Sequence, residues 1–237
     1  MKRLGTIKEI DPSDQESWEG RFFLTFDIDW AHEEIIMDCN RLVSEAGVPS
    51  TWFITHSGSH LKALKADPLV EIGIHPNFNG LVNGQSQGNS IEVVNNLQAL
   101  HPSATSLRSH SLLQSERLID LFREMGLTHI SNLYIPRDAG FKPNPFFIWD
   151  QMIVVPHTYQ DNVEMRSNKE LSLAGCVNRG SHCVVLMHPI HVFLNSTSMD
   201  LYEQTRAYHK EPERLVRFRD NHYGIRDSLR EALEILS

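Results

Sequence analysis

Short apolar runs that stop at a polar residue recur along this chain, and between them hydrophobic positions fall three and four apart. Phe22, Phe23, Leu24, Thr25 and Phe26 form the first run, ending at Asp27 and Asp29. A bulky, β-branched run of this length predicts a buried strand. The same pattern predicts strands over 50–55, 70–74, 104–107, 128–131, 152–155 and 183–187. Helical spacing appears over 31–46, where Ile35, Ile36, Cys39, Leu42 and Val43 share a face and Gly47 is a fitting stop. Further helices are predicted over 59–66, 90–100 and 115–125, the last with Ser115 as N-cap and Gly126 as stop, and one or two more over 211–237. Strand and helix alternate, which argues for a parallel α/β architecture; a (β/α) barrel and an open doubly wound sheet both fit.

Two segments break the pattern. Residues 77–89 are rich in glycine and asparagine without periodicity, and loops of that length are usually functional or disordered. Residues 134–149 hold Pro136, Pro143 and Pro145 with Phe141, Phe146, Phe147 and Trp149, an aromatic loop expected to wall a cleft.

Composition narrows the partner. The chain has 237 residues, 41% hydrophobic and 22% charged, enough for one large domain over 1–237. Its formal charge is −8 with acidic and basic residues interleaved, so no basic stripe favours nucleic acid. No window approaches the roughly 18 apolar residues of a membrane span, and the first twenty residues lack the apolar stretch of a secretory signal. Cys39, Cys176 and Cys183 form no CxxC pair and an odd count, which predicts buried thiols in a reducing, cytoplasmic compartment. Nothing in the sequence sets the oligomeric state.

Candidate chemistry lies at the strand ends. Asp27 and Asp29, His56, His75, Arg108 and His110, and His188 each stand just past a predicted strand. In a parallel barrel those ends converge on one face. Asp27 and Asp29, at alternate positions, can present two carboxylates at one mouth, which is costly unless a cation or proton shares the site. The plain alternative for Asp29 is an N-cap of the helix that follows. His56 and His60 are a second pair at i and i+4, but Gly58 between them weakens a helix that would align them, and a loop or helix-start role is favoured.

The segments TFDID, TWFIT, EIGIHPNF, RSH, FFIWD and LMHPIH follow the order of the motifs of the polysaccharide deacetylases, the NodB-homology enzymes of carbohydrate esterase family 4, over about 22–191. The chain resembles that family, and within it a divergent subgroup associated with O-antigen gene clusters. The resemblance implies a distorted (β/α) barrel of about seven parallel strands. It implies removal of an N-acetyl group from a sugar or glycan precursor with a divalent metal, zinc first, and cobalt, nickel or manganese as alternatives. By the same resemblance Asp27 is the general base, Arg108 aims it, and His188 is the general acid. Asp29 and His75 are metal ligands; the family's second histidine ligand falls at Asn79, and His110 is the alternative that completes the site. Trp149 and Asp150 match a motif whose tryptophan forms a wall and whose aspartate tunes the acid, and His191 is expected to line the pocket. Two rivals remain: hydrolysis of a small non-sugar amide, and a non-catalytic carbohydrate-binding scaffold, for which Asn79 is the supporting feature.

Overall fold

The computed structural model describes residues 3–149, 152–167, 170–178 and 183–237. The chain begins with β1 (Arg3–Gly5), β2 (Arg21–Asp27), α1 (Glu33–Glu45), β3 (Ser50–Ile54), α2 (Ser59–Ala66) and β4 (Val70–Ile74). Next come α3 (Asn79–Val82), α4 (Ser90–Leu100), β5 (Ser106–Leu107), α5 (Glu116–Glu124), β6 (His129–Ile130), β7 (Phe146–Ile148) and β8 (Met152–Val154). The remainder is β9 (Tyr159–Gln160), α6 (Asp161–Arg166), α7 (Ala174–Asn178), β10 (Cys183–Met187), α8 (Pro189–Leu194), α9 (Met199–Thr205), α10 (Pro212–Leu215) and α11 (Ile225–Leu236).

The strands form one sheet in the order β7-β8-β6-β5-β4-β3-β2-β10-β9, with β1 on β2, and every pairing is parallel except β7 with β8. It curls into a half-barrel in which one extended stretch links β8, beside one edge, to β9 at the other. β8 pairs with β6; Val155 then donates to the Ile130 carbonyl and His157 to that of Leu133, both at 2.9 Å. Thr158 changes partner and donates to the Val184 carbonyl at 2.9 Å, and β9 continues along β10. The expected distorted (β/α) barrel is thus the fold.

Period-two alternation on β2 sorts its side chains into two layers. Phe22, Leu24, Phe26 and Ile28 lie in one apolar cluster with Ile36, Cys39 and Val43 of α1, beneath the helices. Phe23 lies in another with Phe53, Val155 and Val184, at the floor of the barrel. That floor is plugged by the N-terminal segment, whose Ile7, Ile10 and Trp18 join the same cluster. Above Phe23 the inner face turns polar at Thr25 and Asp27, so the strand that seals the barrel below also arms its mouth.

Several expectations shift. Helix α1 starts at Glu33 with His32 as its cap, the ring Nδ1 accepting the Glu34 N–H at 3.3 Å, so Asp29 is not the cap. Ser115 caps α5 as expected. The 77–89 segment contains α3, and the 134–149 segment contains β7. Among the described residues, no helix is long and apolar enough to cross a membrane.

Candidate active site

Arg108 follows β5 and is fully buried. Its guanidinium donates to Asp27 Oδ1 at 2.9 Å, Thr25 Oγ1 at 2.8 Å, the Ser131 carbonyl at 3.0 Å and Ser131 Oγ at 2.8 Å. The group also lies over the Phe53 ring, 4.5 Å from its centre. Thr25 can receive because its own hydroxyl donates to the Val185 carbonyl. Asp27, 3% exposed, is therefore held by a planar cation whose orientation four contacts fix.

The residue between the two aspartates has a structural purpose. The Ile28 N–H continues the ladder to the Phe53 carbonyl while its side chain fills the layer under α1. The chain then turns through two left-handed residues, Asp29 with φ 40° and Trp30 with φ 55°. That conformation is uncommon outside glycine and persists where surrounding contacts impose it. It swings the Asp29 carboxylate over the mouth, where Oδ1 lies 3.0 Å from both His75 Nε2 and His110 Nδ1.

His75, directly after β4, is 2% exposed, and among the described residues its Nδ1 has no hydrogen-bond partner, the nearest carboxylate oxygen being Asp27 Oδ2 at 3.8 Å. His110 is pinned by its backbone N–H on the Pro76 carbonyl at 2.9 Å, and Ser111 and Leu112 after it are also left-handed, at 57° and 54°. Both turns flanking the cluster are thus strained. The two ring nitrogens stand 3.3 Å apart beside one carboxylate oxygen. Asp29, His75 and His110 each offer an atom within 4.8 Å of the others, and two imidazole nitrogens with one carboxylate oxygen suit a divalent cation such as zinc. Burial would raise the Asp29 pKa, but the hydrogen bonds from His110 and His75 and the His188 charge outweigh it and hold the carboxyl far below its ordinary value. Burial likewise opposes protonation of His75, and the Asp27 and Asp29 carboxylates reverse it, so its pKa is raised.

Asn79 is elsewhere. It opens α3, and its amide donates to Ser111 Oγ at 3.0 Å; the structure brings His110, not Asn79, to Asp29 and His75.

Across the mouth, His188 ends β10. Its Nδ1 is 2.7 Å from Asp161 Oδ1, its backbone N–H donates to Asp161 Oδ2 at 2.6 Å, and its Nε2 faces Asp29 Oδ2 at 3.5 Å. Burial alone would lower the His188 pKa, but the charge and hydrogen bond of Asp161, with Asp29 and Asp27 behind, push it up to about 10. His191, one turn on in α8, lines the cavity as expected; burial carries its pKa down to about 4, the opposite direction to that of the neighbouring His188. Asp161, His188 and His191 also lie within ligating range of one another, but Asp161 already accepts from His188 twice and from the Asn162 N–H, which accounts for that cluster without a cation.

Asp161 was missed in the sequence. It follows β9, only two residues long, and no apolar run announces that strand. Asp150, expected to tune the acid histidine, lies outside the described residues, and the carboxylate on His188 is Asp161. Trp149 is carried away from the mouth: β7 runs antiparallel to β8 with Ile148 opposite Met152, which leaves Trp149 at the floor end, 45% exposed. Of the aromatics expected to wall the cleft, Phe141, Phe146, Phe147 and Trp149 are all exposed; Tyr134 is the aromatic from that segment which lines the cavity. The His56 and His60 rings lie 4.8 Å apart and belong to neither ligating group. The cavity over the mouth, about 680 Å³, is bounded by Trp30, Tyr134, Gln160, Tyr202 and Lys210 beside the polar groups above.

A curled parallel barrel with its polar groups gathered at the C-terminal strand ends defines an α/β-barrel protein with a mouth-side site. The family model of the WbmS-like polysaccharide deacetylases matches residues 24–206, and the chain belongs to this family. It is similar over 99% of its length to 98% of a candidate polysaccharide deacetylase involved in O-antigen biosynthesis from Bordetella bronchiseptica, with 36% identity and a TM-score of 0.95. A candidate polysaccharide deacetylase from Mycobacterium smegmatis aligns with 12% identity and a TM-score of 0.47 over 91% of each chain. A CE4-family pseudoenzyme from Bacillus anthracis aligns with 15% identity and a TM-score of 0.41 over 81% of this chain and 61% of that one. No curated protein matches the chain by sequence.

Proposed function

We propose that this chain is a metal-dependent hydrolase that removes an N-acetyl group from a sugar of a surface-polysaccharide precursor. The observation that carries this reading is the Asp29, His75 and His110 cluster standing between the Asp27–Arg108 pair and the Asp161–His188 pair. Asp29, His75 and His110 would hold the cation, zinc first, with cobalt, nickel or manganese as alternatives. A divalent ion held there supplies Lewis acidity, polarising the acetamide carbonyl and making water acidic enough to react near neutral pH. Asp27, aimed by Arg108, takes a proton from the attacking water as its oxygen adds to the carbonyl carbon. His188 gives its Nε2 proton to the nitrogen as the C–N bond breaks, so the products are acetate and a free amine rather than an amide anion. Asp161 holds His188 by Nδ1 and keeps the protonated ring turned toward the reacting nitrogen. The three cysteines are free and buried, which supports a cytoplasmic setting.

Metal analysis of protein purified without chelator, beside acetate release from N-acetylated nucleotide sugars and lipid-linked sugars, tests the reading. One equivalent of metal and acetate release that a chelator abolishes are expected, with both lost in Asp29→Ala and His110→Ala. Neither metal nor acetate would sink it and leave a carbohydrate-binding protein. Turnover of free amides or cyclic ureides without acetylated sugars would select the small-amide rival.

A further inference from the structure

The chemistry above leaves Trp30 unused. It lines the cavity, is 38% exposed, and meets the His110 ring edge-on at 5.1 Å between centres and 75° between planes. A bulky aromatic in a left-handed conformation has to be held there. Here its N–H donates to Thr55 Oγ1 at 3.2 Å and its carbonyl accepts from Lys210 Nζ, so the turn is tied on one side to the end of β3 and on the other to the segment after α9. Trp18 and Trp52 are buried, and Trp149 is at the floor end. Trp30 is therefore the tryptophan that the described residues bring to the cavity.

An acetamide reaching the Asp29 cluster must lay the rest of its molecule against the cavity wall beside it. A pyranose has a flat face of C–H groups and a polar rim, and an indole face takes the first while water and polar side chains take the second. We propose that Trp30 is the platform for the sugar ring that bears the acetamide, with Lys210 marking the outer edge of that subsite. This rests on the deacetylase reading for the position of the acetamide, but ring binding is measured separately from hydrolysis.

The test uses the full metal-loaded chain, methyl glycosides of N-acetylglucosamine and N-acetylgalactosamine, and acetamide as a ligand without a ring. In a Trp149→Phe background the glycosides quench tryptophan fluorescence and acetamide does not. By calorimetry Trp30→Ala weakens glycoside binding about tenfold, raising KM far more than it changes kcat, with metal content kept; Trp30→Phe falls between. Unchanged glycoside affinity in Trp30→Ala overturns the proposal. So does unaltered fluorescence at saturating glycoside, a readout that needs no Trp30 variant to fold, and so does failure of every glycoside to bind. Binding and quenching without acetate release would count against the hydrolase and leave the platform standing.

Discussion

The two ends of this barrel bury carboxylates in opposite ways. At the floor, Glu71 is 4% exposed and takes neutral donors: the Lys8 N–H at 3.0 Å, Thr51 Oγ1 at 2.8 Å and the Ser106 hydroxyl. At the mouth, Asp27, Asp29 and Asp161 meet a guanidinium and imidazoles, one of which keeps a ring nitrogen without a partner among the described residues. At the floor end the left-handed positions leading into β2, β3 and β6 are glycines, Gly20, Gly47 and Gly126. The mouth carries close-set lone pairs and two turns with left-handed non-glycine residues, strain of a kind that clusters at functional sites. A buried acid thus says little about chemistry until its partners are counted.

Breaking each end should separate activity from stability. Asp161→Asn is expected to reduce kcat by about 10²–10⁴-fold, because His188, the proposed acid, loses its orienting charge, with metal content kept and some stability lost because the His188 partner is buried; an unchanged kcat would remove His188 from the reaction. Arg108→Leu strands Asp27 without its cation and should cost about 3–5 kcal/mol by denaturant unfolding. A loss under 1 kcal/mol would mean that water reaches the pair. Glu71→Gln turns an acceptor of several donors into a partial donor and should cost about 1–3 kcal/mol while leaving kcat and KM in place. If activity falls as far as stability, the floor and mouth are not independent. The smallest effect is at Asp220, where the His222 backbone N–H and the Thr197 hydroxyl outweigh a little burial and bring the pKa down to about 2. A depressed folded pKa gives stability present above about pH 4 and lost as pH falls through about 2. Solvent screens this site, so Asp220→Asn should alter the melting temperature by less than about 2 °C at pH 5 and not at all near pH 1.5.

The strand ends were legible because each apolar run is itself the signal: the predicted and observed bounds coincide for β4 and β10. His75, Arg108, His110 and His188 were legible for the same reason, each standing where a run stops. Asp161 was not, because β9 gains its place from partner exchange along a single extended stretch, a tertiary event without a local pattern. Trp149 misled because a hairpin reverses direction, and sequence order alone does not say to which end of a sheet a residue is delivered. The floor was also hidden. Ile7 and Ile10 flank Lys8 and Glu9 in a short segment with no sustained period, and burial on the barrel interior is what makes them core.

The hairpin has a further consequence. β7 joins the sheet against the direction of the other strands and stands last in its order among the described residues, with Phe146 and Phe147 beside that edge 41% and 45% exposed. Sheet edges recruit foreign backbone. At three residues β7 offers few backbone bonds to a strand added at that edge.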